Sequence, residues 1–204
     1  MMPLRRAEEP GFLSEGAAEW TQGWLDRRRQ ARVEQRPAPQ FAWAEFQGEK
    51  VNQLLLRELL PLTARHCAYC DCDLDVGTRK TIDHFRPKGR DEFAHLAYAW
   101  PNLFPCCDRC QSCKGEQWHD SMLKSDEAGY SFERYFLCDA RDGICPNPSA
   151  DPADQARARK TIEILGLDHP NLVGAMRRHR DHFRKLREVD PGVAPEEFSF
   201  RFPV

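Results

Sequence analysis

Nine cysteines limit what this chain can fold into more than any other feature: Cys67, Cys70, Cys72, Cys106, Cys107, Cys110, Cys113, Cys138 and Cys145. The count is odd, and the segment Met1 to Glu9 carries charges but no apolar signal-peptide core. Thiolates acting as metal ligands therefore suit it better than a disulfide framework. The strongest pattern is Cys67-x2-Cys70 followed by Cys107-x2-Cys110, with 36 residues between them. Two such knuckles supply four thiolates, enough to close a tetrahedral shell around Zn²⁺; a closed shell has no open position for chemistry, so this zinc is expected to be structural. The interval exceeds the roughly 15–20 residues of compact zinc ribbons, so something substantial is expected between the knuckles. The register stays open, because Cys72 could replace Cys70, Cys106 could replace Cys107, and Cys110-x2-Cys113 is itself a knuckle. Cys138 and Cys145 read as a pair of free thiols.

With 204 residues, the chain is one elaborated domain or at most two small ones. Lysine plus arginine number 30 against 32 acidic residues, a net charge of -2, so a nucleic-acid role would need a local basic surface. No run of roughly 18 apolar residues occurs, so no membrane span is expected and the expected location is cytoplasmic. Apolar periodicity predicts a helix over about 14–36 with Ser14 as N-cap, and a second from about Glu45 to Leu60, ended by Pro61. From His66 to about His119 that periodicity fades, as expected where a metal replaces part of a hydrophobic core. Tyr130 to Cys138 alternates like one strand, and Gly143 to Pro152 reads as a loop. Two helices follow, Ala153 to Leu165 and about Pro170 to Glu188, separated by Gly166, with Asp168 placed to cap the second. From Asp190 onward an extended tail is expected. The expected division is a helical scaffold over 1–64, a metal-centred core over 65–125, and a strand with helices over 126–204.

Between the knuckles lie Thr81-Ile82-Asp83-His84-Phe85-Arg86-Pro87-Lys88 and Trp100-Pro101-Asn102-Leu103-Phe104; the second knuckle runs into Gln111-Ser112-Cys113-Lys114-Gly115. His84 is the candidate general base, since an imidazole with an unperturbed pKa of about 6.5 accepts a proton at neutral pH. Asp83 offers a hard carboxylate oxygen for Mg²⁺ or Mn²⁺. Adjacent strand residues point to opposite faces, so the strand is expected to end or bend near this pair. Over about Cys67 to Gly115 the chain resembles the HNH (ββα-metal, treble-clef) endonucleases. Within them it is most similar to the PtuB-type nuclease subunits of Septu and retron antiphage systems.

The resemblance implies an α+β fold in which a zinc-stapled ββα core is embedded in N- and C-terminal helices, and a metal-dependent hydrolysis of DNA. It implies that Asn102 ties the loop to the strand bearing His84, and that Gln111 stands where family members carry a His or Asn metal ligand. The glutamine is a departure, and His119 and His95 are possible substitutes. Cys107 and Cys110 follow Asn102 at the offsets of the family pattern, which favours them as zinc ligands. Arg86, Lys88, Arg90 and Lys114 are the cations expected to meet the phosphate backbone. A further cluster, Arg177, Arg178, Arg180, Arg184, Lys185 and Arg187, could widen that footprint or form a solvated helix face. The resemblance also implies a controlling partner ATPase of the ABC or SMC-like kind (PtuA-like). Competing readings are a catalytically silent zinc module and a nuclease acting on RNA.

Overall fold

The computed structural model describes residues 1–75, 79–139, 143–194 and 198–202, and they form a mixed α+β protein with small two-stranded sheets. Helix α1 spans Gly11–Val33. It starts earlier than the expected Ser14 cap because Pro10, with φ fixed at -62°, takes the N-cap position and its carbonyl accepts from Leu13 and Ser14. The expected helix from Glu45 is preceded by a miniature hairpin, β1 (Glu45–Phe46) and β2 (Glu49–Lys50). Its turn residues Gln47 and Gly48 both take positive φ, 49° and 82°, the backbone that a tight two-residue hairpin needs. Helix α2 then runs Val51–Leu62, one residue past Pro61, and buries Val51, Leu55 and Leu59.

Strands β3 (Lys80–His84) and β4 (Leu103–Cys107) pair antiparallel, from Lys80↔Cys107 to His84↔Leu103. The loop between them winds through two 3₁₀ turns, Asp91–Leu96 and Trp100–Asn102. Helix α3 (Asp108–Lys114) follows β4 with no intervening residue. The strand expected over Tyr130 to Cys138 is divided: Ser131 caps a single turn, α4 (Phe132–Tyr135), before β5 (Phe136–Asp139). Strand β6 (Gly143–Pro146) pairs with β5 and occupies the start of the expected loop. Helix α5 (Pro152–Leu165) is capped by Asp151 and stopped by Gly166 in the left-handed region at φ 58°. Helix α6 (Pro170–Val189) is capped by His169, whose side chain accepts from the Asn171 amide, and not by the neighbouring Asp168.

Two apolar clusters meet at the β3–β4 hairpin. One joins Leu13 and Trp24 of α1 and Val51, Leu55 and Leu59 of α2 to Ile82, Tyr98, Trp100 and Leu103. The other gathers the knuckle cysteines with Tyr69, Phe104, Phe132, Phe136, Ile162, Leu165 and Met176. The hairpin is thus a wall shared by both cores. Among the described residues no helix is long and apolar enough to cross a membrane.

An extended tail was expected from Asp190 onward, whereas residues 198–202 fold back on the first knuckle. Arg201 donates from Nη2 to Asp71 Oδ1 at 2.5 Å and from Nε to Oδ2 at 3.1 Å. The Phe200 amide donates to the Asp71 carbonyl at 2.7 Å, and Phe202 stacks on Phe132 with ring centroids 4.6 Å apart. Asp71 is 1% exposed, so Arg201 and not water is its partner. Arg201→Ala is expected to cost about 3 kcal/mol, because removing one member of a buried pair leaves the other uncompensated. Urea unfolding checks this: the midpoint should fall at unchanged slope, with Arg201→Lys in between.

Candidate metal centre and histidine site

The first knuckle is a tight turn in which the Cys67 amide donates to the Cys72 carbonyl (2.8 Å) and the Asp71 amide to the Cys67 carbonyl (2.9 Å). Asp71 takes a positive φ of 61° to close it. The second comes from the strand-to-helix junction: Cys107 ends β4 and caps α3, its sulfur accepting from the Cys110 amide at 3.4 Å. The Cys107 amide donates in turn to Cys67 Sγ at 3.4 Å. Buried Cys67, Cys70, Cys72 and Cys107 have sulfurs all within 4.8 Å of one another, so these four can hold a metal ion such as zinc. A tetrahedral shell with Zn–S of about 2.3 Å has an edge of about 3.8 Å. The Cys70 and Cys107 sulfurs lie 3.8 Å apart, far outside disulfide length, so the donor set fits that ion.

Relative to the expected set, this grouping contains Cys72 where Cys110 was expected. Cys110 is fully buried beside it, and the four-sulfur grouping leaves Cys72 and Cys110 as neighbours competing for one corner. Hydrogen bonding from Cys110 pushes the Cys107 thiol down to about 5, while hydrogen bonding to Cys107, Cys67 and Cys70 pushes Cys110 well up. Cys106 points elsewhere, its sulfur 3.1 Å from Thr81 Oγ1.

Asp83 and His84 close β3 with side chains among different neighbours, as strand alternation demands. Asp83, 4% exposed, accepts from the Tyr69 hydroxyl at 2.6 Å and from Lys114 Nζ at 3.1 Å. Burial raises its pKa, and Lys114 and Tyr69 oppose that rise. His84, 3% exposed, lies among aromatic rings: Trp43 stacks on it at 5.4 Å and Phe41 meets it edge-on at 5.5 Å. Its Nε2 is 2.9 Å from the Ala97 carbonyl, which can only accept, so Nε2 carries the proton and Nδ1 keeps its lone pair. Burial, reinforced by the charge of Lys88, holds the imidazole well below its ordinary 6.5, hence neutral at physiological pH.

The supporting residues act on this strand end. Asn102 accepts from the Arg86 amide (2.8 Å) and donates to the carbonyls of Arg86 (3.0 Å) and Leu96 (3.1 Å), fixing the chain just after His84. Gln111 donates from Nε2 to the Ile82 carbonyl at 2.9 Å, clasping α3 to β3. Lys114 corrects the reading of it as a phosphate contact: it is 0% exposed and donates to the His84 carbonyl at 2.7 Å as well as to Asp83. Of the other expected cations, Arg86 is exposed and lies over the Phe93 and Trp118 rings. Lys88 sits 4.8 Å from the Phe41 ring centroid with its pKa lowered by burial, and Arg90 lies 3.6 Å from Glu92. His95 is exposed on its 3₁₀ turn, and His119 accepts from the Ser121 amide.

Sequence reasoning missed Tyr69, Phe41 and Trp43. Tyr69 is the second of the two residues inside the first knuckle, and the other two form a Phe-Ala-Trp run just after Pro37 and Pro39, where a linker has no use for large rings. Together the hairpin, helix and sulfurs define a class: a mixed α+β protein built on a buried cysteine cluster, with a neutral buried histidine at the other end of the β3–β4 hairpin. No protein-family model matches the chain. It is similar to the Septu protein PtuB of Bacillus thuringiensis, 41% identical over 64 residues, which cover 31% of this chain and 23% of that protein. It is also similar to the Septu protein PtuB of Bacillus mycoides (strain KBAB4), 22% identical over 169 residues, 76% of this chain and 55% of that one. The chain thus spans less than two thirds of the length of either relative.

Purified protein is expected to carry about one zinc per chain by plasma mass spectrometry, with Cys67→Ser and Cys107→Ser each losing it. Comparing Cys72→Ser with Cys110→Ser identifies the fourth ligand. A separate expectation follows from His84: the unfolded chain takes up a proton near pH 6.5 that the folded chain refuses, so stability is full above 6.5 and declines as pH falls below it. The slope of melting temperature against pH should flatten in His84→Gln.

Proposed function

We propose that this chain contains an HNH-type (ββα-metal, treble-clef) core that hydrolyses phosphodiester bonds in DNA, as the effector of a Septu-like antiphage system. The observation that supports it best is the state of His84: Nε2–H is spent on the Ala97 carbonyl, leaving Nδ1 as a base fixed in direction. A neutral imidazole can take the proton of a water as that water's oxygen attacks phosphorus, and Lys88 adds positive charge nearby. Lys114 and Asn102 hold the backbone on either side of the base. The thiol cluster is then a structural zinc site, held by four of the five neighbouring cysteines.

The resemblance also implies a catalytic Mg²⁺ or Mn²⁺ on Asp83 and Gln111. Asp83 already accepts from Tyr69 and Lys114, and Gln111 has its amide nitrogen on Ile82, so these residues do not fit a hard-ion cage. The chemistry assigned here therefore rests on proton transfer at His84 and the charge of Lys88 alone. Phe41 and Trp43 cover the imidazole, so a phosphodiester reaches Nδ1 only when the segment carrying them is displaced. Control by a partner ATPase of the ABC or SMC-like kind, like PtuA, is the second part of the proposal; it draws on the similarity to two Septu proteins and on the toxicity of an uncontrolled nuclease.

The competing reading, a catalytically silent zinc module, is favoured by the burial of the Asp83–Lys114 pair. Plasmid cleavage separates the two: nicking that depends on His84 supports hydrolysis, and no nicking supports the silent module. In Mg²⁺ or Mn²⁺ buffer the purified protein is expected to nick plasmid, and His84→Ala to lose at least about a hundredfold in rate at unchanged zinc content. Undiminished nicking would remove His84 from the role of base. Labelled tRNA incubated in parallel tests RNA as the substrate.

A further inference from the structure

Helix α6 is two helices in one, seen from its surroundings. Its first part packs through Leu172 and Met176, its only buried residues; the remainder, 177–189, buries none. That second half carries six cations, between Arg177 and Arg187, against two carboxylates, Asp181 and Glu188. Alongside it runs the returning segment 198–202, and between the two lies a groove of about 880 Å³. Its walls are aromatic: Phe183 meets Phe198 at 5.1 Å between centroids, and Phe200 meets His179 at 5.4 Å. Its rim is charged, with guanidinium groups in excess: Arg180, Arg184 and Arg187 line it together with Asp181 and Glu188, Arg187 lying 5.6 Å from the Phe183 ring centroid. Phe183, Phe198 and Phe200 stay partly exposed although each has an apolar neighbour.

Rings and guanidinium groups in one groove match a ligand that offers flat apolar faces and negative charge at short, regular intervals. From Arg177 to Arg187 the helix rises about 15 Å, a span that several successive phosphates can occupy. A duplex keeps its base faces stacked inside and presents phosphate alone, which would leave the phenylalanines without a role. A peptide of acidic residues alone supplies the charge but no flat faces. We infer that the groove between the second half of α6 and residues 198–202 binds single-stranded nucleic acid, with bases on Phe183, Phe198 and Phe200 and phosphates on the arginines. The inference stands apart from the nuclease reading, since it uses no residue near His84.

Fluorescence anisotropy on the full chain with dye-labelled dT12 tests it, with rU12, a duplex of equal length and polyglutamate as competitors. EDTA is left out so that the cysteine cluster stays intact, and the His84→Ala background protects the probe from cleavage. Preferred binding of a single strand over duplex is expected, and rU12 against dT12 tells RNA from DNA. Phe183→Leu should weaken binding about tenfold. Arg184→Gln, at a side chain 70% exposed and therefore safe for folding, should weaken it and lower the salt slope by about 0.7. Equal competition by polyglutamate, equal affinity for duplex, or indifference to Phe183→Leu would each overturn the inference, whatever the nicking assay returns.

Discussion

The structure depends on bringing thiols from two distant chain segments to one buried point. Residues 67–72 form one tight turn, and Cys107 and Cys110 come from the junction of β4 with α3. Because Cys107 is both the last residue of a strand and the cap of a helix, whatever binds these sulfurs sets the angle between the two elements. His84 sits at the far end of the paired strand, four register positions from the Lys80↔Cys107 pair, so about 14 Å of β-ladder carries the cluster's position to the imidazole. A cation at the sulfurs can thereby bear on where the histidine points without touching it.

A second constraint lies across the hairpin. Lys114 is fully buried, and its ammonium group would be very costly there without the Asp83 carboxylate and the His84 carbonyl. The pair adds little net stability compared with an apolar substitute of the same shape. It does make the arrangement specific, because the ammonium meets Asp83 and the His84 carbonyl only when α3 and β3 are in register, and Tyr69 of the first knuckle holds the same carboxylate. The carboxylate next to the histidine is thereby used for architecture.

Part of the candidate site was legible because it is marked by rare residues at fixed spacing: Cys67, Cys70 and Cys107 do cluster, with Cys72 where Cys110 was expected, and His84 and Asn102 lie between the two knuckles in sequence. Helices α2, α5 and α6 were legible from apolar periodicity, with ends displaced wherever a cap competed, as when His169 replaced Asp168. What could not be read were long-range commitments. Nothing local to Lys114 says that it turns inward, since a lysine in the last turn of a helix is ordinarily solvated. Asp71 and Arg201 look like surface charges until the tail is seen on the knuckle. The aromatic cover over His84 comes from a stretch with no regular structure, where periodicity has nothing to report.

The Asp71–Arg201 contact joins positions 130 residues apart. At a translation rate of about 5–20 residues per second, roughly 7–26 s pass between the emergence of the aspartate and that of its partner. During that interval the knuckle turn lacks the guanidinium that meets its Asp71 carboxylate in the folded protein. The fold therefore couples the knuckle turn to a segment made much later, and folding of the turn by itself leaves this pair unformed.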